Sequence, residues 1–284
     1  MNIVLIVDNK YMNLLLYTLN SLVRVKNKST KIDIYILSLK TINPIILNLY
    51  NSDDIKIHII DNINLLNNYN INEIDKSKFL KFCIQDILPN LDKCIYLDCD
   101  IILNKDLNDL YQQDILNGKL MCVVKDHFQI MGNHNNNHFN TGMIYFNLNE
   151  CRKINLLKTA LEFYNLRGRL TEKMLDQPIF NSIIPYNRVV YISCLFNLIK
   201  SEFTWTWVRK PEIILKNYNI LFHLNYNNIN DLFKDAYVYH FAGPEEKDHL
   251  YNYIEYKNEF KYLSQFLKNK IGLDMYIECK LIKE

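Results

Sequence analysis

The chain has 284 residues, of which 49% are hydrophobic, and its 33 basic and 31 acidic residues leave a formal net charge of +2. A chain of this length and composition can bury a substantial core, and its nearly balanced charge gives no sign of the basic stripe that nucleic-acid binding requires. The seven cysteines are odd in number and include no Cys-x-x-Cys pair, which indicates reduced thiols rather than a disulfide framework or a zinc site.

The amino terminus lacks the successive basic, apolar and cleavage regions of a signal peptide. No apolar run approaches the roughly 20 residues of a membrane span. We therefore expect a cytoplasmic protein. No linker-like stretch divides the chain, which favours one large domain, with residues 248–284 as a C-terminal extension.

Strand and helix patterns alternate through the first part of the chain. An apolar run over Asn2–Val7 predicts a buried strand, and leucines at helical spacing follow it. The alternation continues with predicted elements at Ile32–Leu37 (strand), Asn43–Tyr50 (helix) and Ile55–Ile60 (strand). This order implies an α/β fold with a mostly parallel sheet. Ligands bind outside the carboxyl ends of such strands, which places Asp8 and Tyr11 beside the crevice.

The apolar run over Lys93–Leu103 is interrupted by two carboxylates, Asp98 and Asp100, with Cys99 between them. Residues i and i+2 of a strand point to the same side, so the two acidic groups would share one face and need a cation or a proton between them. The pattern predicts a strand that delivers metal ligands at its carboxyl end. The alternative is a turn in which both aspartates face water.

The middle of the chain places further polar groups beside predicted elements. A helix is predicted over Lys76–Leu88 and carries Lys81, and a strand over Met121–Val124 is followed by Asp126. The segment Asn140–Gly142 is interpreted as a glycine-relieved turn into an apolar strand. The glycine either relieves crowding in the strand or lets the backbone approach a ligand closely.

Helices are predicted from Glu150 to about Leu166 and again from around Met174. Asp176, near the start of the second helix, is interpreted either as its N-cap or as a functional carboxylate, and Gln177 follows it.

The last third of the chain begins with the alternating segment Phe203–Trp207, which predicts a strand. A strand over 237–240 then ends in His240 and is followed by Gly243 and Lys247. The C-terminal extension repeats aromatic and leucine residues at helical spacing, which predicts an amphipathic helix packed on the domain. Peripheral contact of that helix with a membrane surface is the alternative.

Four short motifs follow one another in order: Leu97-Asp98-Cys99-Asp100, Asn140-Thr141-Gly142, Asp176-Gln177, and His240 with Gly243 and Lys247. Each is weak alone, but together they resemble glycosyltransferase family 8, the retaining group that includes glycogenin and bacterial lipopolysaccharide galactosyl- and glucosyltransferases. The resemblance covers about residues 1–247. It implies a GT-A fold, which is a single nucleotide-binding-type α/β domain with a mostly parallel central sheet flanked by helices.

The resemblance also implies a role for each matching residue. Asp98, Asp100 and His240 would bind a manganese or magnesium ion that also holds the diphosphate of a UDP-sugar donor. The remaining positions are assigned in pairs: Asp8 and Tyr11 to the uracil, Asp126 and Asn140 to the donor sugar, Asp176 and Gln177 to the reacting carbon, and Gly243 and Lys247 to the phosphates.

Two positions depart from the family's pattern. Lys81 stands where the family generally has an arginine, so it keeps the positive charge but lacks the bidentate fork. Lys247 follows Gly243 by four residues, whereas the family's lysine follows its glycine by three. The second departure makes a phosphate contact by Lys247 less secure.

The roles implied by the resemblance describe a retaining hexosyltransferase of the EC 2.4.1 type, which moves glucose or galactose from UDP to a glycan, lipopolysaccharide or protein acceptor. Two routes stay open, a double displacement with Asp176 as nucleophile and a front-face route in which Gln177 supplies a dipole. An oligomer also stays open.

Two other classes of function are considered. A metal-dependent phosphoryl or nucleotidyl transferase also uses paired aspartates, but the Gly-x-x-x-x-Gly-Lys phosphate loop is absent from the sequence. A non-catalytic sugar-nucleotide-binding protein is disfavoured by the intact motif residues.

Overall fold

Strands and helices alternate in the computed structural model, which describes residues 1–8, 11–71, 73–131, 136–167, 176–203, 210–242 and 253–271. The strands are β1 (Asn2–Ile6), β2 (Ile32–Leu37), β3 (Ile55–Ile60), β4 (Lys93–Leu97), β5 (Ile101–Leu103), β6 (Met121–Lys125), β7 (Phe139–Asn147), β8 (Val189–Tyr191), β9 (Leu198–Ile199) and β10 (Val238–His240). The helices are α1 (Met12–Val25), α2 (Pro44–Asn48), α3 (Glu73–Phe79), α4 (Ile84–Ile87), α5 (Asn108–Gln112), α6 (His127–Met131), α7 (Leu148–Lys153), α8 (Leu156–Arg167), α9 (Asp176–Ile183), α10 (Pro211–Phe222), α11 (Ile229–Asp235) and α12 (Ile254–Ile271).

Seven strands form a central sheet in the order β3-β2-β1-β4-β7-β6-β8. Strand β7 runs antiparallel to both of its neighbours, and the other paired strands of this sheet are parallel. Alternate residues of a strand enter different cores: Ile3 and Leu5 pack with α1 and α12, whereas Val4 packs with α7, α8 and α9. The predicted α/β fold with a mostly parallel sheet covered on both faces is confirmed.

The chain reverses its direction of travel across the sheet at β1, which pairs with β2 on one side and with β4 on the other. In open α/β sheets, ligands bind at such a switch point, outside the carboxyl ends of the strands. Asp8 lies two residues beyond the end of β1, and Asp98 directly follows β4. Both therefore lie at the edge of the sheet where the sequence predicts a ligand.

A second, three-stranded sheet has the order β5-β10-β9. Strand β5 follows the 98–100 segment, and β10 pairs with it so that His240 lies opposite Ile101. The next backbone N–H along the chain, that of Phe241, donates to the carbonyl of Asp100 at 3.0 Å. This register brings His240, on the last of the described strands, to the two aspartates.

Several local predictions differ from the structure. Residues 98–100 form a turn rather than a strand, because the chain leaves the central sheet after Leu97 and enters the second sheet at Ile101. The segment 140–142 lies within β7 rather than in a turn before it. The helix predicted from 150 to 166 is two helices, since Asn155, with a φ of 48°, interrupts it between α7 and α8.

Phe203 belongs to a 3₁₀ turn at Lys200–Phe203 rather than to a strand. Trp205 and Trp207 of the same prediction lie outside the described residues.

Helix α12 packs against α1 through its aromatic and acidic side chains. The ring of Tyr256 lies edge-on to Tyr17 with 5.5 Å between centroids, and the buried carboxylate of Glu259 accepts hydrogen bonds from Asn20 at 2.6 Å and from Arg24 at 2.5 Å. The amphipathic helix that the sequence predicts is thus packed on the domain. None of the described helices has both the length and the apolar character needed to cross a bilayer.

Candidate active site

A cavity of about 820 Å³ opens at the carboxyl edge of the central sheet. All ten of the predicted site residues that the structure describes line it: Asp8, Tyr11, Lys81, Asp98, Asp100, Asp126, Asn140, Asp176, Gln177 and His240. The other two, Gly243 and Lys247, lie outside the described residues. The volume is that of an ordinary small-molecule site.

The 98–100 turn is held in place from three directions. The Thr18 hydroxyl, on α1, lies 2.7 Å from the carbonyl oxygens of both Cys99 and Ile101 and donates to them. The buried Cys99 thiol donates to the carbonyl of Ile6 at 3.3 Å. The backbone N–H of Asp98 donates to the carbonyl of Gly142 on β7 at 2.8 Å. Because its backbone is fixed, the turn presents both carboxylates to the cavity in a defined orientation.

Asp98, Asp100 and His240 form what we call the metal-ligand cluster. Nε2 of His240 lies 3.4 Å from Oδ1 of Asp100 and 3.8 Å from Oδ2 of Asp98. Each residue offers one ligand atom such that the three atoms lie within 4.8 Å of one another. This is the one group of this kind among the described residues.

The metal-ligand cluster fits a single divalent cation. Ligand atoms about 2.1 Å from one ion are separated by roughly 3 Å when adjacent and roughly 4.2 Å when opposite, a range that includes the 3.4 and 3.8 Å from Nε2 of His240 to the two carboxylates. Two carboxylates and one neutral imidazole suit an oxygen-preferring ion such as Mn²⁺ or Mg²⁺ better than a thiolate-binding metal.

Gly142 is needed because the ring of His240 packs directly on its Cα. A β-carbon at position 142 would lie 2.1 Å from Cε1 of His240 and 2.6 to 2.7 Å from the two ring nitrogens. These separations are far below van der Waals contact, and His240 is buried and has little room to move. The glycine therefore relieves crowding between β7 and the side chain of His240, which is the first of its two expected roles.

Lys81 is buried and joins two of the predicted carboxylates. Its ammonium lies 2.6 Å from Oδ2 of Asp176 and 3.0 Å from Oδ1 of Asp98, and it donates to the carbonyl of Thr141 at 3.3 Å. Burial acts to lower the pKa of Lys81, but the two carboxylates together outweigh it and hold the pKa above its usual value. The side chain is therefore a permanent cation within the site.

Tyr96, on β4, supports the carboxylate of Asp98, which also contacts Lys81. Its hydroxyl donates to Oδ1 of Asp98 at 2.5 Å, and its ring lies under the Lys81 ammonium with 4.8 Å to the ring centroid. Burial, together with the charge of Asp98, holds the pKa of Tyr96 well above its usual value, so the group stays a donor. With Oδ1 of Asp98 engaged in this way, Oδ2 is the oxygen that faces His240.

Asp126, Asn140 and Gln177 form what we call the amide cluster. Nε2 of Gln177 donates to Oδ2 of Asp126 at 2.8 Å, and Oε1 of Gln177 accepts from Nδ2 of Asn140 at 3.1 Å and from the backbone N–H of Thr141 at 3.2 Å. The Oδ1 atom of Asn140 accepts from the backbone N–H of Gly142 at 2.8 Å. These partners fix which end of each amide carries the oxygen.

The start of α9 is attached to β7 by side chains. Asp176 is the first residue of α9, and its Oδ2 accepts from the Thr141 hydroxyl at 2.8 Å as well as from Lys81. One turn later, Asn181 forms a pair of hydrogen bonds with the backbone of Phe139, both at 2.8 Å. The carboxylate of Asp176 therefore bonds to side chains outside its own helix.

Several cavity-lining residues were not predicted as site residues. Thr141 belongs to one of the motifs and Tyr96 to the apolar run, with no role predicted for either. Thr141 contacts Asp176, and Tyr96 contacts Asp98. A polar or aromatic residue next to a motif carboxylate is the signal that could have found them. Glu202 also lines the cavity, and the sequence around it carries no signal because its neighbours alternate like a strand.

A sequence model of Glycosyl transferase family 8 matches residues 2–247 of the chain. The chain belongs to glycosyltransferase family 8. This confirms the resemblance on which the site residues were first assigned.

Curated proteins related to this family 8 chain are distant and longer. A Haemophilus influenzae protein classed as a glycosyltransferase is 27% identical over 218 residues, which cover 71% of this chain and 64% of that relative. An Arabidopsis thaliana protein named "Probable galacturonosyltransferase 13" is 31% identical over 116 residues, which cover 32% of this chain and 22% of that relative. The chain therefore spans less than two thirds of the length of the curated relatives it matches.

Solved structures share the fold of this family 8 chain. The galactosyltransferase LgtC, in complex with donor and acceptor sugar analogs, superposes with a TM-score of 0.69 and 17% identity, covering 93% of this chain and 96% of LgtC. GlyE of Streptococcus pneumoniae TIGR4 superposes with a TM-score of 0.67 and 15% identity, covering 94% of this chain and 63% of GlyE. At such low identity the likeness concerns the fold, and the predicted GT-A fold is confirmed.

Proposed function

We propose that this family 8 glycosyltransferase is a retaining hexosyltransferase that takes a UDP-hexose donor together with Mn²⁺ or Mg²⁺. The observation that carries the proposal is the convergence of the metal-ligand cluster and the amide cluster on one cavity. The buried cation of Lys81 pairs there with Asp98 and with Asp176, the residue before Gln177. UDP-glucose and UDP-galactose are the first donors to test. The acceptor would be a hydroxyl of a glycan, a lipopolysaccharide or a protein.

When bound, a divalent ion would supply positive charge where negative charge develops on the diphosphate as its bond to the sugar breaks. Asp98, Asp100 and His240 would hold that ion. The 98–100 turn and the contact between His240 and Gly142 fix these three side chains before an ion or donor enters, so little reorganisation is needed on binding. Lys81 pairs with Asp98 at 3.0 Å and helps to hold it in place.

Asp176 and Gln177 would lie beside the reacting carbon. Because Oδ2 of Asp176 is shared between the Lys81 ammonium and the Thr141 hydroxyl, much of the carboxylate's charge is already compensated. This arrangement favours the front-face route over a double displacement with Asp176 as nucleophile. Gln177 would supply a fixed dipole next to the positive charge of the oxocarbenium-like carbon, since its amide is held by Asp126 and Asn140.

The other expectations complete the proposal. Asp8 and Tyr11 would bind the uracil, and Gly243 and Lys247 would contact the phosphates. The catalytic domain would span residues 1–247, with 248–284 as an extension packed on it. A cytoplasmic location, with or without peripheral membrane contact, belongs to the same proposal.

The proposal is tested by UDP binding measured calorimetrically with and without Mn²⁺. We expect Mn²⁺ to tighten UDP binding by at least about tenfold, and Asp100→Asn to abolish that gain because the ligand loses its negative charge. Asp235→Asn serves as the control, since this carboxylate is exposed and lies 3.7 Å from Lys105, outside the cavity.

Donor turnover then separates the classes of function. Metal-dependent hydrolysis of a UDP-hexose, with release of the hexose in its original anomeric configuration by NMR, would support a retaining transferase. UDP binding with no turnover of any UDP-sugar would instead identify a non-catalytic binder. Turnover of a nucleoside triphosphate, but not of UDP-sugars, would identify a phosphoryl or nucleotidyl transferase.

A further inference from the structure

A second buried polar cluster lies beside the amide cluster and consists of His127, Glu202 and Tyr218. Nδ1 of His127 lies 2.7 Å from Oε2 of Glu202, and the Tyr218 hydroxyl donates to the same oxygen at 3.2 Å. The rings of His127 and Tyr218 are 4.5 Å apart. His127 begins α6 directly after Asp126, whereas Glu202 lies in the 3₁₀ turn after β9, so separate elements bring these residues together.

The hydrogen bonding of this cluster is incomplete. Both donors contact Oε2 of Glu202, and neither Oε1 of Glu202 nor Nε2 of His127 has a hydrogen-bond partner among the described residues. The two residues are only 2% and 4% exposed. Buried polar atoms in native proteins are nearly always hydrogen-bonded, so an unpartnered carboxylate oxygen calls for a ligand that is absent from the protein itself.

Glu202 is placed where a ligand would meet it. It lines the same cavity as Asp126 and Gln177. Burial raises the pKa of the Glu202 carboxyl above its usual value, the hydrogen bond with His127 opposes that shift, and the nearby charge of Asp126 adds to it.

The chemistry of Glu202 selects the kind of group it would bind. A carboxylate oxygen accepts hydrogen bonds, and it would repel a diphosphate. A second cation is not the natural partner, because the described residues offer no further set of three metal ligands beyond the metal-ligand cluster. A sugar hydroxyl is a neutral O–H donor, and its bond to a carboxylate is charge-assisted. For transfer, the donor hexose must lie beside Gln177, which lines the same cavity as Glu202. Asp126, the partner of Gln177, directly precedes His127, the partner of Glu202.

We propose that Glu202 is a specificity-determining residue for the donor, whose Oε1 accepts a hydrogen bond from a hydroxyl of the hexose, and that His127 is a positioning residue that holds the carboxylate by its other oxygen. This inference rests on the proposed use of a UDP-hexose. It assigns a sugar contact to a residue that lies in none of the sequence motifs.

The test compares the affinities of UDP and UDP-hexose in the presence of Mn²⁺ for wild type and for Glu202→Gln. The hexose contact is absent from UDP, so we expect Glu202→Gln to bind UDP within twofold of wild type and to bind the UDP-hexose about tenfold more weakly. With a series of monodeoxy UDP-hexoses, one missing hydroxyl should weaken wild-type binding and cause no further loss in Glu202→Gln.

His127 is tested by the same ratio of affinities. His127→Leu should lose the preference for UDP-hexose over UDP, and His127→Asn should restore it, since an Asn side chain still offers an N–H donor to Oε2 of Glu202. The two His127 variants test the role of Glu202 if Glu202→Gln fails to fold. Glu259→Gln is the matched control, because it changes a buried, hydrogen-bonded carboxylate on α12 that does not line the cavity.

The possible outcomes distinguish a failure of the Glu202 assignment from a failure of the proposed function. Equal losses for UDP and UDP-hexose, no change in either, or an effect confined to acceptor use would overturn the assignment of Glu202 while leaving the transferase intact. A wild-type protein without Mn²⁺-dependent UDP binding would overturn the proposed function and this assignment with it.

Discussion

The metal-ligand cluster and the amide cluster line one cavity but are held together differently. In the first, Nε2 of His240 lies 3.4 to 3.8 Å from the two carboxylates, which is longer than an ordinary N–H···O hydrogen bond. In the second, the Gln177 amide is joined to Asp126 at 2.8 Å and to its other partners at 3.1 to 3.2 Å. The first arrangement leaves space for a cation between its members, whereas the side chains of the second are hydrogen-bonded directly to one another.

The difference indicates how the two clusters would act. A metal site needs like-charged ligands held close together, and the fold supplies the restraint from outside through Thr18, Gly142 and Lys81. The amide cluster is held by hydrogen bonds between its own members and by backbone N–H groups of β7, so its dipoles keep their orientation in the absence of a ligand. Substitutions in the first cluster should therefore affect metal dependence, and those in the second should affect turnover.

The largest loss is expected from Asp98→Asn and Asp100→Asn. Each removes a full negative charge from the metal-ligand cluster, and we expect the turnover of a UDP-hexose to fall on the order of 10³-fold in both. Their effects on stability should differ. In metal-free protein, Asp100→Asn relieves repulsion between two carboxylates, whereas Asp98→Asn removes one partner of the buried Lys81 and should lower the free energy of unfolding by about 1–3 kcal/mol.

Denaturant unfolding in the presence of a chelator measures this difference between the two aspartates. Equal stabilities for the two variants would show that Lys81 does not depend on Asp98.

The next largest loss is expected from Gln177→Ala in the amide cluster. We expect turnover to fall about 100-fold, with UDP affinity within twofold of wild type, because the fixed dipole acts mainly in the transition state. Steady-state rates and calorimetric UDP binding on the same preparation provide the measurement. Normal turnover combined with weakened UDP binding would assign Gln177 to donor binding instead.

A smaller loss is expected from Gly142→Ala, which tests the restraint on His240. The added methyl would force the imidazole away, and we expect the apparent affinity for Mn²⁺ in the UDP-binding assay to fall about tenfold. Gly118→Ala is the matched control. A β-carbon there meets no atom within 4 Å, but the φ of 66° makes the substitution strained, so stability should fall without any change in metal affinity. Unchanged Mn²⁺ affinity in Gly142→Ala would count against His240 as a ligand.

The smallest effect on turnover is expected from Glu259→Gln on α12. This carboxylate pairs with Arg24 and Asn20 far from the cavity, so the substitution should lower the free energy of unfolding by about 1–2 kcal/mol and leave kcat/KM unchanged. Thermal unfolding and donor turnover check both parts. A fall in turnover beyond the loss of folded protein would mean that α12 is coupled to the site.

Much of the fold follows from local patterns in the sequence. The bounds predicted for Ile32–Leu37 and Ile55–Ile60 match β2 and β3 residue for residue, because isoleucine recurs at every second position through most of each segment, which is the period of a strand. The 98–100 segment was misassigned as strand because its apolar flanks continue the pattern. Only the change from one sheet to the other turns the chain there, and no local pattern encodes that change.

The candidate site residues could also be named from residue types in order, and the structure places all ten of the described candidates in one cavity. The side chains that contact them could not be predicted in this way. Lys81 was known only as a cation on a helix, and its bridging of Asp98 and Asp176 depends on where that helix packs. Glu202 was not found at all, since a buried glutamate in an irregular segment resembles a surface residue until the fold encloses it.

The sequence by itself determined the α/β class, the strands that build most of the central sheet and the identity of the acidic, amide and imidazole groups, because these depend on local periodicity and on residue chemistry. The tertiary structure decided which groups meet. The register of β10 against β5 brings His240 to Asp100, and the missing side chain of Gly142 makes room for it. Such contacts join residues far apart in the chain, so their geometry is fixed only when the sheets and helices pack together.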